Sequence, residues 1–233
     1  MKKMNDKKKP VFILTIETSG LTSGVSIGQD GELLAERALN LKNIHSRKMA
    51  LMLKQLMEDV KLDYRDLAAI ALSAGPGSFT GLRIGYSLAK GLAHPLCLPL
   101  IEVSTLDVWA YQQGKTDLPV MALIDAHRNE IFCGLYRWKQ NTLHREGDYR
   151  LVPLKDLPAL LREPTLIVGA DTVQLKEKIM KFSAEAARFP FPFLTQPENW
   201  ALLHLAFQKY QAGELRAVSE AEPRYMRAFK GVM

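Results

Sequence analysis

Two acidic residues follow apolar runs, at positions where a strand would end and where an acid could take part in chemistry. Glu17 follows the run 11–16, and Asp125 follows the run 120–124. Carboxylates at such strand ends could hold a magnesium ion or orient a water between two domains. An acid in a turn also accepts hydrogen bonds from the local backbone. The sequence alone leaves both interpretations open.

The most informative segment is the glycine-rich stretch 73–85, Ser-Ala-Gly-Pro-Gly-Ser-Phe-Thr-Gly-Leu-Arg-Ile-Gly. Free N–H groups at a turn from strand into helix can bind phosphate. No Gly-Lys-Ser/Thr follows, so the stretch is not a Walker A loop. Gly75-Pro76-Gly77 also resembles a dinucleotide fingerprint, with Glu102 where an acid would bind the ribose. That fingerprint normally follows the first strand of a domain and this one does not, so a nucleotide- or dinucleotide-binding enzyme is the alternative hypothesis.

Other catalytic constellations are absent from the sequence. None of the five histidines has another histidine four residues away, and neither His-Glu-x-x-His nor Gly-x-Ser-x-Gly occurs. The sequence therefore predicts no metal site, no cofactor and no glycoprotease-like nucleophile. Cys97 and Cys133 lie far apart without a Cys-x-x-Cys pair, which favours free thiols in a reducing cytoplasm.

The composition is that of a folded globular protein. Of the 233 residues, 47% are hydrophobic and 24% are charged, and no uninterrupted apolar run approaches the ~20 residues of a membrane span. The net charge of +6 comes mainly from residues 1–10, which hold five lysines and one aspartate. We expect a flexible basic tail there. The rest of the chain is nearly balanced, which argues against an independent RNA-binding protein. We therefore expect a soluble cytoplasmic protein without a membrane contact.

The hydrophobic pattern predicts an α/β protein whose two halves repeat one order of elements. Each half has three strands, a helix, a buried strand and a second helix, and the first half adds a strand and a short helix. We place the two domains at 11–106 and 107–233. The predicted ranges are 11–16, 23–28, 32–39, 46–60, 67–73, 78–94, 97–103 and 104–112 in the first half, and 120–124, 131–138, 149–152, 154–161, 165–168, 172–182 and 200–210 in the second.

Two predicted helices have faces that suit either the core or a partner. In helix 78–94, Gly81, Gly85 and Ala89 recur every four residues and form a ridge of small side chains. A glycine costs about 1 kcal/mol inside a helix, so we expect the close approach of another backbone to offset that cost. Helix 46–60 has a methionine-rich face, which suits a core or an adaptable partner surface. Packing within the chain and contact with a partner both remain open.

Four segments together resemble the bacterial TsaB family, formerly called YeaZ, over essentially the whole chain. They are Ile16-Glu17-Thr18-Ser19, the stretch 73–85, the turn Asp125-Ala126-x-x-x-Glu130 and the terminal Pro223-x-Tyr225-x-Arg227. The resemblance implies an actin-like ATPase (ASKHA) architecture with two duplicated βββαβα-type domains. Within 107–233, the final segment is free to return to the first domain.

The resemblance also implies an accessory role. The family supplies a non-catalytic subunit for threonylcarbamoylation of the adenosine beside the anticodon in tRNA. The implied partners are a TsaD-like catalytic paralogue, which the subunit binds and activates, and a TsaE-like ATPase in a larger complex. The chain is expected to form a homodimer when alone and to meet tRNA only through the complex.

Two departures from active relatives of the wider fold favour that role. The Asp-x-Gly phosphate hairpins of those relatives are replaced by Glu17-Thr18-Ser19 and by Asp125-Ala126-His127, which lack the glycine. We therefore assign Glu17, Thr18, Ser19 and Asp125 to a vestigial nucleotide site. The helical His-x-x-x-His metal site of the catalytic paralogue is also incomplete, since His45 is followed by Met49.

The resemblance places the partner interface on the helices 46–60 and 78–94. We expect a leucine at Gly85 to block the partner without disturbing the fold. The assigned interface residues are His45, Met49, Met52, Leu53, Leu56, Phe79, Gly81, Leu82, Gly85 and Ala89.

Overall fold

The computed structural model describes residues 9–40, 46–170, 172–183, 185–190, 196–224 and 226. His45, Tyr225, Arg227 and most of the basic tail lie outside the described residues. Within the described part of the chain, two five-stranded mixed sheets are accompanied by helices. None of the helices in that part combines the length and the apolar character that a membrane span requires.

The first sheet is built from β1 (Phe12–Glu17), β2 (Thr22–Gln29), β3 (Glu32–Asn40), β4 (Leu67–Ser73) and β5 (Leu100–Val103). Its strand order is β3-β2-β1-β4-β5. β1 pairs antiparallel with β2 and parallel with β4. The first three strands therefore form a meander, and β4 is reached through a helical crossover.

The second sheet repeats this connectivity with β6 (Val120–His127), β7 (Glu130–Lys139), β8 (Thr142–Pro153), β9 (Thr165–Val168) and β10 (Ala187–Arg188). Its order is β10-β9-β6-β7-β8. β6 pairs antiparallel with β7 and parallel with β9, as β1 does with β2 and β4. This duplication confirms the predicted α/β fold class and the repeated order of elements.

The helices of the described residues are α1 (Ser46–Val60), α2 (Phe79–Leu96), α3 (Thr105–Gln112), α4 (Thr172–Ser183) and α5 (Asn199–Gln211). One face of the first sheet packs against α1 and α2, and the other face packs against α5. In the second sheet, one face packs against α4 and the other against α3. α5 thus contacts the first sheet although it follows the second in the chain.

The chief departure from the predicted elements lies at 154–161, where the structure has a 3₁₀ helix, Leu154–Leu160, instead of an α-helix. Pro158 lies inside this element and has no N–H to donate to the preceding turn, which disfavours α-helical bonding. β5 begins at Leu100 and not at 97, because α2 continues to Leu96 and ends at Cys97 with φ +52°. β8 is also much longer than the predicted 149–152.

A buried hydrogen-bond network fastens α3 to the second sheet. Asp107 accepts hydrogen bonds from the Tyr136 hydroxyl at 2.8 Å and from the Tyr149 hydroxyl at 2.8 Å. Burial raises the pKa of Tyr149 to about 12, so this phenol keeps its proton across the physiological range. Trp109 of α3 is fully buried in the same region. α3 therefore links the first half of the chain to β7 and β8.

We predict that Asp107→Ala lowers the free energy of unfolding by about 2–3 kcal/mol, because two phenol hydroxyls lose their shared acceptor. Tyr149→Phe is the matched control: it removes one donor, keeps the Asp107–Tyr136 bond and should cost about 1 kcal/mol. Urea denaturation measures both. An Asp107→Ala loss no larger than that of Tyr149→Phe would contradict the shared-acceptor role.

Candidate functional site

The carboxylate of Glu17 is enclosed at the end of β1. Its side chain is 1% exposed. One oxygen accepts hydrogen bonds from the Ser19 amide and the Ser19 hydroxyl, both at 2.6 Å, and the other accepts from the Ser73 hydroxyl at the end of β4. Both oxygens are thus committed to donors of the chain itself.

Burial also sets the charge state of Glu17. Desolvation raises its pKa above the ordinary value, although the hydrogen bonds from Ser19 and Ser73 act in the opposite direction. An acid that is enclosed in this way serves as a local anchor for the turn that follows β1. Of the two interpretations of Glu17, the structure favours the structural one.

The turn after β1 lies directly against three glycines of the stretch 73–85. A Cβ atom would stand 2.4 Å from the Ser19 carbonyl oxygen at Gly77, 2.0 Å from the Thr18 carbonyl oxygen at Gly81, and 2.3 Å from Thr18 Oγ1 at Gly85. The Ser78 amide donates to the Ser19 carbonyl at 2.7 Å. The glycines are therefore required by the close approach of this turn to α2.

This geometry corrects the assignment of Gly81 and Gly85 to a partner interface. The side on which each would carry a side chain faces Thr18 of the same chain, so the small-residue ridge packs within the chain. The expectation that a leucine at Gly85 spares the fold is wrong for the same reason, since its side chain would collide with Thr18.

The residues of the dinucleotide hypothesis make contacts within the chain. Glu102 accepts hydrogen bonds from the Tyr86 hydroxyl at 2.6 Å and from the Glu222 amide at 3.1 Å. At Gly75, where φ is +97°, a Cβ would lie 3.2 Å from the Arg224 carbonyl oxygen. The acid and the loop thus hold the C-terminal segment against β5, and the ribose-binding interpretation of Glu102 is corrected.

Asp125 lies in a different environment from Glu17. Its side chain is 31% exposed, and it accepts a hydrogen bond from the His127 amide at 2.7 Å. The hairpin beyond it has φ values of +61°, +57° and +59° at His127, Arg128 and Asn129. Left-handed conformations are typical of a tight β-hairpin turn, although glycine is absent here. The two acids are each bound to their own turn.

Most residues assigned to the partner interface are core residues of the first sheet. On α1, Met49, Leu53 and Leu56 are at most 1% exposed and Met52 is 6% exposed. On α2, Leu82 and Ala89 are also buried. Their side chains already pack within the chain, so the assignment of these six residues to a partner surface is corrected. Phe79 differs from them, with 40% of its side chain exposed.

The outer faces of α1 and α2 instead form a shallow groove. Its centre is apolar, and the guanidinium of Arg83 lies 4.0 Å from the centre of the Phe79 ring. The sequence pattern did not indicate this surface. The strongest apolar stripe of each helix faces the core, and only a second, weaker apolar stripe faces outward. The groove is lined by Arg47, Ala50, Phe79, Thr80, Arg83, Ile84, Ser87 and Leu88.

Each of the two sheets begins as a three-stranded meander and continues through a crossover to a parallel strand. This arrangement defines the chain as a protein of the actin-like ATPase (ASKHA) fold. Residues 32–228 match the family model described as TsaD, tRNA N6-adenosine threonylcarbamoyltransferase. Among the described residues, no three His, Cys, Asp or Glu side chains cluster so that they could hold a metal ion.

Individual relatives carry the names TsaB or YeaZ. The tRNA threonylcarbamoyladenosine biosynthesis protein TsaB of Bacillus subtilis (strain 168) is 35% identical over 170 residues, which cover 72% of this chain and 74% of that protein. TsaB of Escherichia coli (strain K12) is 31% identical over 225 residues, 92% of this chain and 94% of that protein. The solved structure of YeaZ from Pseudomonas aeruginosa has a TM-score of 0.77 and 25% identity, covering 92% of this chain and 99% of that one. The chain belongs to the TsaB family.

We predict opposite effects for two glycine-to-alanine changes on α2. Gly81→Ala places a methyl group 2.0 Å from the Thr18 carbonyl and should lower the free energy of unfolding by about 2 kcal/mol or more. Gly91→Ala is the matched control, since no atom lies within 4 Å of its Cβ position, and it should raise stability by about 0.5–1 kcal/mol. Chemical denaturation measures both, and a neutral Gly81→Ala would refute the close approach.

We predict that Glu17→Gln changes the pH dependence of stability. The raised pKa means that the folded state binds the proton more tightly than the unfolded state, so wild type loses stability as Glu17 ionises above its ordinary pKa. The glutamine cannot ionise. The unfolding free energy of wild type minus that of the variant should therefore fall as the pH rises above the ordinary pKa of Glu17, by at most about 1.4 kcal/mol per pH unit.

Glu220→Gln, at an exposed site, is the control for this series and should follow wild type at every pH. The measurement is urea denaturation at each pH. A difference between wild type and Glu17→Gln that grows with pH would mean that the ionised carboxylate stabilises the fold.

Proposed function

We propose that this chain is a non-catalytic subunit in the formation of threonylcarbamoyladenosine beside the anticodon of tRNA, and that it acts in the cytoplasm. Family membership supports the pathway, since the B. subtilis and E. coli relatives carry this biosynthetic name. One observation carries the non-catalytic role: the Thr18–Ser19 turn fills the space along Gly77, Gly81 and Gly85. A helix N-terminus that is packed in this way is not open to a phosphate chain.

The partner is a TsaD-like catalytic paralogue, and the surface that binds it is the groove between α1 and α2. Phe79 is 40% exposed and Leu51 of α1 is 54% exposed, so large apolar side chains face solvent on both helices. Arg47 and Arg83 line the groove, and none of the acidic side chains that the structure describes does. This composition suits a partner with an apolar centre and a carboxylate rim.

Binding activates the paralogue by a shift of its conformational equilibrium. If the groove binds the active conformer more tightly than the inactive one, complex formation raises the active population without a catalytic group from this chain. The TsaE-like ATPase then joins the pair, and tRNA is bound by the assembled complex. In the absence of the paralogue, two copies of the chain pair through the same groove.

We predict that Phe79→Ala raises the dissociation constant for the TsaD-like paralogue at least about tenfold, because a half-exposed aromatic at the centre of an interface is typically an energetic hot spot. Phe182→Ala is the matched control. Its ring, on α4, is 44% exposed and lies far from the groove in the fold. Titration calorimetry with the purified paralogue gives both constants.

Two checks make the outcome decisive. Circular dichroism must show native secondary structure in both variants, and the modification assay must lose activity with Phe79→Ala at concentrations where wild type is saturating. Unchanged binding by Phe79→Ala, or an equal loss in Phe182→Ala, would overturn the assignment of the groove.

A further inference from the structure

A hollow of about 350 Å³ lies on the second sheet, on the face that also carries α4. Leu135 and Leu160, both half-buried, give it apolar surface, and Met121 and Cys133 lie at its base with at most 2% of their surface exposed. Burial raises the pKa of the Cys133 thiol to about 11, so the thiol remains protonated and acts as an apolar wall. None of these residues belongs to the groove between α1 and α2 or to the turn at Glu17.

The hollow follows from a large difference between the two halves. In the first half, the element between the third and fourth strands is the 15-residue α1, about 22 Å long. In the second half it is the seven-residue 3₁₀ helix Leu154–Leu160, about 14 Å long. β7 and β8 have ten and twelve residues, and strands of that length span more than about 30 Å. The short helix leaves part of them uncovered.

The rim of the hollow carries three arginines, which differ in whether they form an ion pair. Arg137 is bound by two carboxylates, Glu146 at 3.1 Å and Glu163, so its charge is compensated. Within the described part of the chain, no carboxylate lies within 4.0 Å of Arg150 or Arg162. Two guanidinium groups without an ion pair thus stand above an apolar floor.

We propose that this hollow binds a small organic carboxylate with an apolar chain, whose head group is held by Arg150 and Arg162 and whose chain lies on Leu135 and Leu160. Guanidinium groups match the planar carboxylate through paired hydrogen bonds. A pocket of this volume is at the small end for organic ligands. Asp148 also lines the rim and disfavours ligands with more than one negative charge.

The test is titration calorimetry of the full chain with octanoate, with 1-octanol and inorganic phosphate as separate probes. Wild type should bind octanoate with a sub-millimolar dissociation constant and bind both other probes at least about tenfold more weakly. Equal binding of octanol would show a purely apolar hollow, and tighter binding of phosphate would show a simple anion site. Either result, or no binding of octanoate, overturns the proposal.

Variants locate the site. Arg162→Gln should weaken octanoate binding about tenfold, as expected for the loss of a charge-assisted hydrogen bond. Lys155→Gln is the matched control, because Lys155 is exposed on the 3₁₀ helix that precedes Arg162 but does not line the hollow. Ala159→Phe places a ring in the hollow from an exposed position and should abolish binding.

Thermal unfolding of each variant establishes that it folds, and amide NMR shifts on octanoate addition should centre on Cys133 and Leu135. Shifts centred on α1 and α2, or equal weakening by Lys155→Gln and Arg162→Gln, would overturn the placement. Neither readout depends on the TsaD-like paralogue, so failure here leaves the proposed function standing.

Discussion

The close approach of the turn after β1 to α2 constrains the rest of the first domain. Backbone atoms of Thr18 and Ser19 occupy the space that side chains would fill at Gly77 and Gly81. The buried Glu17 carboxylate ties the same turn to β4 through Ser73. Because both contacts hold the ends of two parallel strands against one helix, the position of α2 on the sheet is fixed, and with it the face that α2 presents to solvent.

The two halves of the molecule share a topology but use it differently. In the first, two long helices pack on one face and place their outer surfaces beside each other. In the second, Pro158 interrupts the corresponding element, and a short 3₁₀ helix leaves a hollow on the sheet. A duplicated fold can therefore carry a groove between two helices on one copy and a hollow on the sheet on the other without any change in strand order.

The sequence predicted the strands and helices well where local pattern and burial agree. α1 and β4 have the predicted bounds, because the amphipathic pattern of 46–60 indicates a helix and the continuous apolar run 67–73 indicates a buried strand. Most of the predicted interface residues, unlike Phe79, lie on the core side of the helices, since a methionine face or a glycine ridge is equally suited to the chain's own core and to a partner. The methionine face is settled by its burial against the first sheet, and the glycine ridge by the position of Thr18, which depends on a contact between segments about sixty residues apart. The ribose-binding role predicted for Glu102 was wrong because local sequence does not show its partners, which are Tyr86 and the Glu222 amide.

The placement of α5 has a consequence for how the protein is made. One face of the first sheet is incompletely covered until α5, which begins at Asn199, has been synthesised, because Ala201, Leu202 and Ala206 supply side chains that cover it. A ribosome therefore completes the second sheet before the first can close its core. During translation the first sheet therefore keeps apolar side chains exposed until α5 packs on it. A premature stop before α5 should destabilise the first sheet more than the second.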